Sequence, residues 1–179
     1  MNMHGTTILC VRRNKQVAIA GDGQITLEKT VMKGNAKKVR KLFDGKIISG
    51  FAGSVADALT LYERIDKKIK EYSGDLVRAS VELAREWRED KYLRRLEAML
   101  VIADAKKTFL LSGTGEVIEG EEAALAIGSG GDYARAAAEA LVDNSNLSAA
   151  EIAQKALEIT SRICIYTNEN ITLETIDSN

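Results

Sequence analysis

Twice along this chain, a run of residues with strand-like alternation gives way to a pair of segments with helical spacing. No other feature limits the possible folds so sharply. TTILCVRR and QVAIAGDG flank the short turn Asn14-Lys15 and read as an antiparallel hairpin. After a polar stretch, KVRKLFDGKIISGFAGS reads as a second hairpin turning at Asp44-Gly45, because a type I′ turn needs positive φ, which Gly allows and Asp tolerates. The period then changes. Ser54 and Asp57 have capping-box spacing, and Val55, Ala58, Leu59, Tyr62, Ile65, Ile69 and Tyr72 recur at helical spacing up to Ser73-Gly74. A second helix follows, capped by Asp75, with Leu76, Ala79, Leu83 and Trp87 as its apolar stripe.

The same order then repeats. AMLVIAD, KTFLLSG, GEVIEG and ALAIGSG return to strand patterns. Two further helices follow: one runs from Gly131 through Tyr133, Ala137, Leu141 and Val142. The other is capped by Ser148 and Glu151 and turns Ile152, Ala156, Ile159 and Ile163 inward. ITLETID at the end reads as a short edge strand. Adjacent hairpins imply antiparallel sheets, and strands grouped apart from paired helices imply layered α+β packing, not a doubly wound parallel sheet. Two sheets packed face to face with helix pairs outside would bury every stripe.

At 179 residues, 45% of them hydrophobic, the chain suits one domain with a proper core. Its 25 Lys and Arg against 26 Asp and Glu offer no general attraction for nucleic acid or acidic lipid. The longest apolar runs fall far short of the roughly 20 residues of a membrane-spanning helix. MNMHG lacks the basic and apolar regions of a secretory signal, so a cytoplasmic location is expected. Cys10 and Cys164 then read as free thiols. His4 is the only histidine, so the body of the chain cannot build a Ser-His-Asp or Cys-His arrangement. With no proline anywhere, glycine and Asx residues do the turning.

The chemistry concentrates around Thr6. Residues 1–5 read as a leader, with 6–179 as a single domain; removal of the leader would give Thr6 a free amine beside its own hydroxyl. An α-amine has an unperturbed pKa of about 7.7 to 8.0 and can act as base for that hydroxyl, directly or through water. The first hairpin brings the end of its second strand beside the start of its first, so Asp22 is expected near Thr6, although Gly21-Asp22-Gly23 alone would be an ordinary turn. KGNAKKVRK reads on composition as solvated surface; a lysine of Lys37-Lys38 that pointed inward would instead depress the pKa of a nearby amine. Gly128-Ser129-Gly130-Gly131 precedes a helix but lacks the Lys-Ser/Thr of a P-loop. A tight strand-to-helix turn with Ser129 facing a site is the better reading than nucleotide binding.

TTILCVRR, VAIAGDGQ, TVMKGNAKKVRKL, GFAGSVADA, LEAMLVIAD, AIGSGGDYA and ICIYTN resemble, in order and spacing, the HslV (ClpQ) family of bacterial ATP-dependent protease subunits, relatives of proteasome β-subunits. The resemblance implies a four-layer αββα N-terminal nucleophile hydrolase fold and threonine endopeptidase activity on unfolded proteins. It makes Thr6 the nucleophile, Asp22 and Lys38 the charged pair tuning it, Ser129 a supporting serine, and Gly50 the backbone N–H donor to the oxyanion, its missing side chain permitting close substrate approach. It further implies a double hexameric ring, an AAA+ ATPase partner, HslU (ClpY), that binds the ATP and activates the peptidase, and a sodium ion on backbone carbonyls of Ser161, Cys164 and Thr167. Ser161 departs from the glycine often seen there. The leader is longer than a lone initiator methionine, so exposing Thr6 requires cleavage at Gly5-Thr6. The rival reading is a catalytically silent ring subunit that keeps its leader.

Overall fold

The computed structural model describes residues 3–4, 6–95, 98–112, 115–120 and 123–178, without the side chains of residues 3, 4 and 94. In chain order the elements are β1 (Met3–His4), β2 (Thr7–Arg13), β3 (Gln16–Gly21), β4 (Ile25–Leu27), β5 (Thr30–Lys33), β6 (Val39–Leu42), β7 (Ile47–Gly53), α1 (Val55–Glu71) and α2 (Leu76–Glu89). A 3-10 turn at Leu93–Arg95 leads to β8 (Ala98–Asp104), β9 (Thr108–Ser112), β10 (Val117–Glu119), β11 (Ala124–Gly128), α3 (Gly131–Asn144), α4 (Ala149–Ser161) and β12 (Thr172–Asp177). Every strand pairing is antiparallel, in sheets ordered β11-β2-β3-β12, β10-β9-β8-β7-β6 and β1-β4-β5.

The central strands of the two larger sheets, β2 and β3 in one and β7 and β8 in the other, are buried on both faces, and their alternation sorts side chains between layers. In β2, Ile8 and Cys10 enter the apolar layer between the sheets, whereas Leu9 and Val11 face α3 and α4. In β7, Ile48 and Ala52 point to the shared middle while Ile47 and Phe51 meet α1 and α2. The stack is therefore αββα, the α+β architecture expected from the element order. A period of two places consecutive apolar residues in different cores, and truncating such a side chain to alanine costs about 2–5 kcal/mol.

Local signals held with four adjustments. Asn14 and Lys15 both have positive φ, as a type I′ turn demands. In the second hairpin Gly45 N–H donates to Leu42 O, with positive φ at Phe43 and Asp44. The I′ turn thus centres one residue earlier than Asp44-Gly45, and Gly45 takes the following left-handed position. Asp75 and the Ser148–Glu151 box cap their helices, but Ser54 makes no side-chain cap, so α1 starts without its capping box. Three apolar residues leave their assigned faces: Leu59 and Tyr133 point outward, and Ile163 lies beyond the end of α4, while Leu61 joins the buried stripe of α1. Finally, the polar stretch after β3 contains the β4–β5 hairpin. Its second strand is wholly exposed and so carries no alternation to read.

Candidate active site

Antiparallel pairing places the end of β3 beside the start of β2, and Ile8 lies opposite Gly21. Asp22 therefore lies beside the threonine pair. It is fully buried, and its Oδ1 accepts the Thr7 backbone N–H at 2.8 Å. Its other oxygen accepts N–H groups of Gln24 at 2.8 Å and Asn168 at 3.3 Å. Lys38, just before β6, turns inward: its Nζ donates to Asp22 Oδ1 at 3.1 Å and to the Gln24 carbonyl. Lys37 stays in solvent, so of the pair it is Lys38, held by Asp22 and the Gln24 carbonyl, that is buried. Desolvation pulls the Lys38 pKa below its ordinary value, and the Asp22 charge acts in the opposite direction.

The glycine-rich loop between β11 and α3 wraps the same threonines. Ser129 N–H donates to Thr6 O at 2.9 Å, and Gly130 N–H donates to Thr7 Oγ1 at 3.0 Å. A Cβ on Gly128, whose φ is +93°, would fall 1.9 Å from Thr6 O; one on Gly130 would meet Thr7 Oγ1 at 2.5 Å. The glycines are there because two threonines occupy the space side chains would need. Ser129 is exposed and Thr6 is buried. Thr7, absent from the sequence-based site, is fully buried, and its hydroxyl also bonds Thr167 Oγ1 at 2.7 Å.

Gly50 does not join this group. A Cβ there would sit 2.7 Å from Ile8 Cγ2 and 3.1 Å from Ile19 Cγ2, so the missing side chain serves close packing of the two sheets, not approach of a substrate. Phe51 N–H points toward β6, reaching Lys38 O, so strand alternation turns the Gly50 N–H toward β8, into the ladder opposite Val101. The expected oxyanion role is incompatible with that orientation.

Ser161, Cys164 and Thr167 lie where α4 ends and the chain turns toward β12. Thr167 N–H donates to the Cys164 carbonyl at 3.1 Å, and the Ser161 hydroxyl bonds Glu158 O. Among the described residues no group of three His, Cys, Asp or Glu could hold a metal, so any ion here would rest on carbonyls. Residues 1, 2 and 5, and with them the Gly5-Thr6 junction, lie outside the described residues; Met3 and His4 pair with Leu27 and Thr26.

Layered sheets with a threonine pair, a buried carboxylate and a buried lysine at one end define a class, and the comparisons agree. The proteasome subunit model matches residues 2–176, and the chain belongs to that family, in its HslV branch. The ATP-dependent protease subunit HslV of Petrotoga mobilis (strain DSM 10674 / SJ95) is 62% identical over 177 residues, 99% of this chain and 100% of that protein. The crystal structure of eukaryotic HslV from Trypanosoma brucei superposes with a TM-score of 0.90 at 46% identity, covering 96% of this chain and 99% of the other. Thiobacillus denitrificans BPH, at 18% identity and a TM-score of 0.76 over 97% of this chain and 98% of its own, shares the fold.

Proposed function

We propose that this chain is the threonine-type endopeptidase subunit of a two-component ATP-dependent protease acting on unfolded proteins. The observation that carries the reading is the convergence of Asp22, Lys38 and the 128–131 loop on Thr6 and Thr7, in a chain 62% identical to an HslV subunit. Cleavage between Gly5 and Thr6 frees the Thr6 amine, which takes the proton of the Thr6 hydroxyl as that oxygen attacks the scissile carbonyl. The amine side of the substrate then leaves with a proton, and water resolves the ester on Thr6. Lys38 keeps a positive charge near the new amine and favours its neutral form, while Asp22 holds Lys38 and the Thr7 backbone in place. Ser129 borders the same terminus. The donor to the oxyanion is reassigned from Gly50 to Gly53, at the open end of β7. Its φ of +113° suits glycine, and by alternation its N–H points past Val39, the first residue of β6.

The assembly that goes with this reading is a double hexameric ring served by the AAA+ ATPase HslU, which holds the nucleotide, in the cytoplasm. Consistent with that, no helix among the described residues is long and apolar enough to cross a membrane. A sodium ion would rest on the Ser161, Cys164 and Thr167 carbonyls, an oxygen-only set at the negative end of α4 that suits a hard cation and has a structural role. The pairing of Met3–His4 with β4 favours a second reading, a silent subunit that keeps its leader. Intact mass and N-terminal sequence separate the two: a purified chain starting at Thr6 is expected. Thr6→Val is expected to abolish ATPase-dependent peptide hydrolysis while rings persist; substantial surviving hydrolysis would remove Thr6 from the role.

A further inference from the structure

The turn bearing Asp22 and the loop bearing Lys38 meet backbone to backbone. Ala36 N–H donates to Gly23 O at 2.9 Å, and a Cβ on Gly23 would fall 2.5 Å from Gly34 O and 2.9 Å from the Asn35 Cα. Asn168, in the turn between α4 and β12, bridges the two where they touch. Its Oδ1 accepts the Gly23 N–H at 3.1 Å, and its Nδ2 donates to Gly34 O at 2.8 Å. Its own backbone N–H reaches Asp22 Oδ2 at 3.3 Å. Gln24 Nε2 donates to Ile165 O at 2.9 Å, so residues 22, 23 and 24 are all held from the 165–168 turn.

Joining an N–H on one loop to a C=O on the other takes one acceptor and one donor on a single short side chain, which a carboxamide supplies. Aspartate would keep the acceptor but set its second oxygen against Gly34 O. Asn170 separates the bridge from simple anchoring: its Nδ2 also donates to Gly34 O, at 2.7 Å, but among the described residues its side chain makes no bond to the Asp22 turn. We propose that Asn168 is a positioning residue for peptide hydrolysis, its side chain clamping the Asp22 turn to the Lys38 loop and so fixing how that pair sits against the threonine terminus. This inference rests on the peptidase reading above. The bond from Lys38 to Asp22 crosses the same gap, so releasing the clamp loosens the pair that tunes the nucleophile. Misplacing such groups by about an ångström is enough to slow a reaction by roughly tenfold or more.

The test compares the unmodified chain with Asn168→Ala, Asn168→Asp and Asn170→Ala, each assembled with its partner ATPase and assayed on one fluorogenic peptide. An electrophilic peptide that labels Thr6, counted by intact mass, gives the number of competent chains. Because kcat is expressed per labelled chain, a smaller amount of folded or processed enzyme cancels. Both Asn168 variants are expected to lose about tenfold in kcat with KM within about twofold of the unmodified chain, whereas Asn170→Ala keeps both constants. Asn168→Asp, which retains the Gly23 bond, supplies the reading where Asn168→Ala yields no labelled chains. Unchanged kcat per labelled chain in either Asn168 variant, a change confined to KM, or an equal loss in Asn170→Ala would overturn the positioning role while leaving the peptidase intact. Cleavage of no peptide by the unmodified chain would overturn the peptidase reading and this inference with it.

Discussion

Asp22 is the residue on which the site turns. Its carboxylate accepts two hydrogen bonds at 2.8 Å from backbone N–H groups, a longer third, and the Lys38 ammonium, all within the protein interior. Replacing Lys38 by Met would strand that charge. We expect a loss of about 3–5 kcal/mol in denaturant unfolding together with loss of peptidase activity, because breaking a buried pair leaves its partner uncompensated. Cys10 makes a separate residue-scale case. Burial lifts its thiol from 9.0 to about 11, so it is expected to resist alkylation in the folded protein. Since the folded pKa is the higher one, this contribution to stability is complete below pH 9 and is lost as pH rises toward 11. Cys10→Ala should flatten that part of a stability-versus-pH curve. Asp22 was legible because hairpin pairing alone puts it beside Thr6. Thr7 with Thr167 was not, since the two are 160 positions apart and threonine is unremarkable at either.

At the scale of elements, caps and close approaches separate what local sequence controls from what tertiary packing controls. The Ser148–Glu151 box forms as its spacing implies, and Ser148→Ala is expected to cost about 1 kcal/mol in thermal or chemical unfolding. The equivalent spacing at Ser54 forms no cap, because spacing permits a box but does not oblige the side chain to turn toward the helix. The β4–β5 hairpin escaped notice for another reason: an exposed strand need not alternate, so Thr30–Lys33 has nothing to distinguish it from a loop. The 128–131 loop was legible as a tight turn, but not the reason for its glycines. Gly130→Ala is expected to reduce peptidase activity and stability together, since the added methyl would displace the Thr7 hydroxyl. Gly50 illustrates the opposite trap: a glycine in a motif suggested access to a substrate, and its real neighbours are isoleucines of the facing sheet.

For the whole molecule, the order of strands and helix pairs was enough to anticipate four layers, because each sheet must cover two faces and only helices remain to cover the outer ones. What that order could not supply was the small third sheet, or which layer each apolar residue enters. The middle layer joins Ile8, Ile19, Ile48 and Val101 in one apolar contact zone, so amide hydrogen exchange should be slowest in β2, β3, β7 and β8. It should be fastest in β5, where all four residues are exposed. Equal protection of β5 and β7 would contradict this distribution of stability.

The bonds between the Thr7 and Thr167 hydroxyls and from Asn168 N–H to Asp22 join the start of β2 and the end of β3, in the four-stranded sheet, to the turn between α4 and β12. Their consequence concerns timing during synthesis. A growing chain carries Thr6, the proposed nucleophile, from its start, yet the bonds that hold the neighbouring Thr7 and Asp22 stay incomplete until nearly the whole polypeptide has left the ribosome. Destructive capacity thus arrives only with the finished fold.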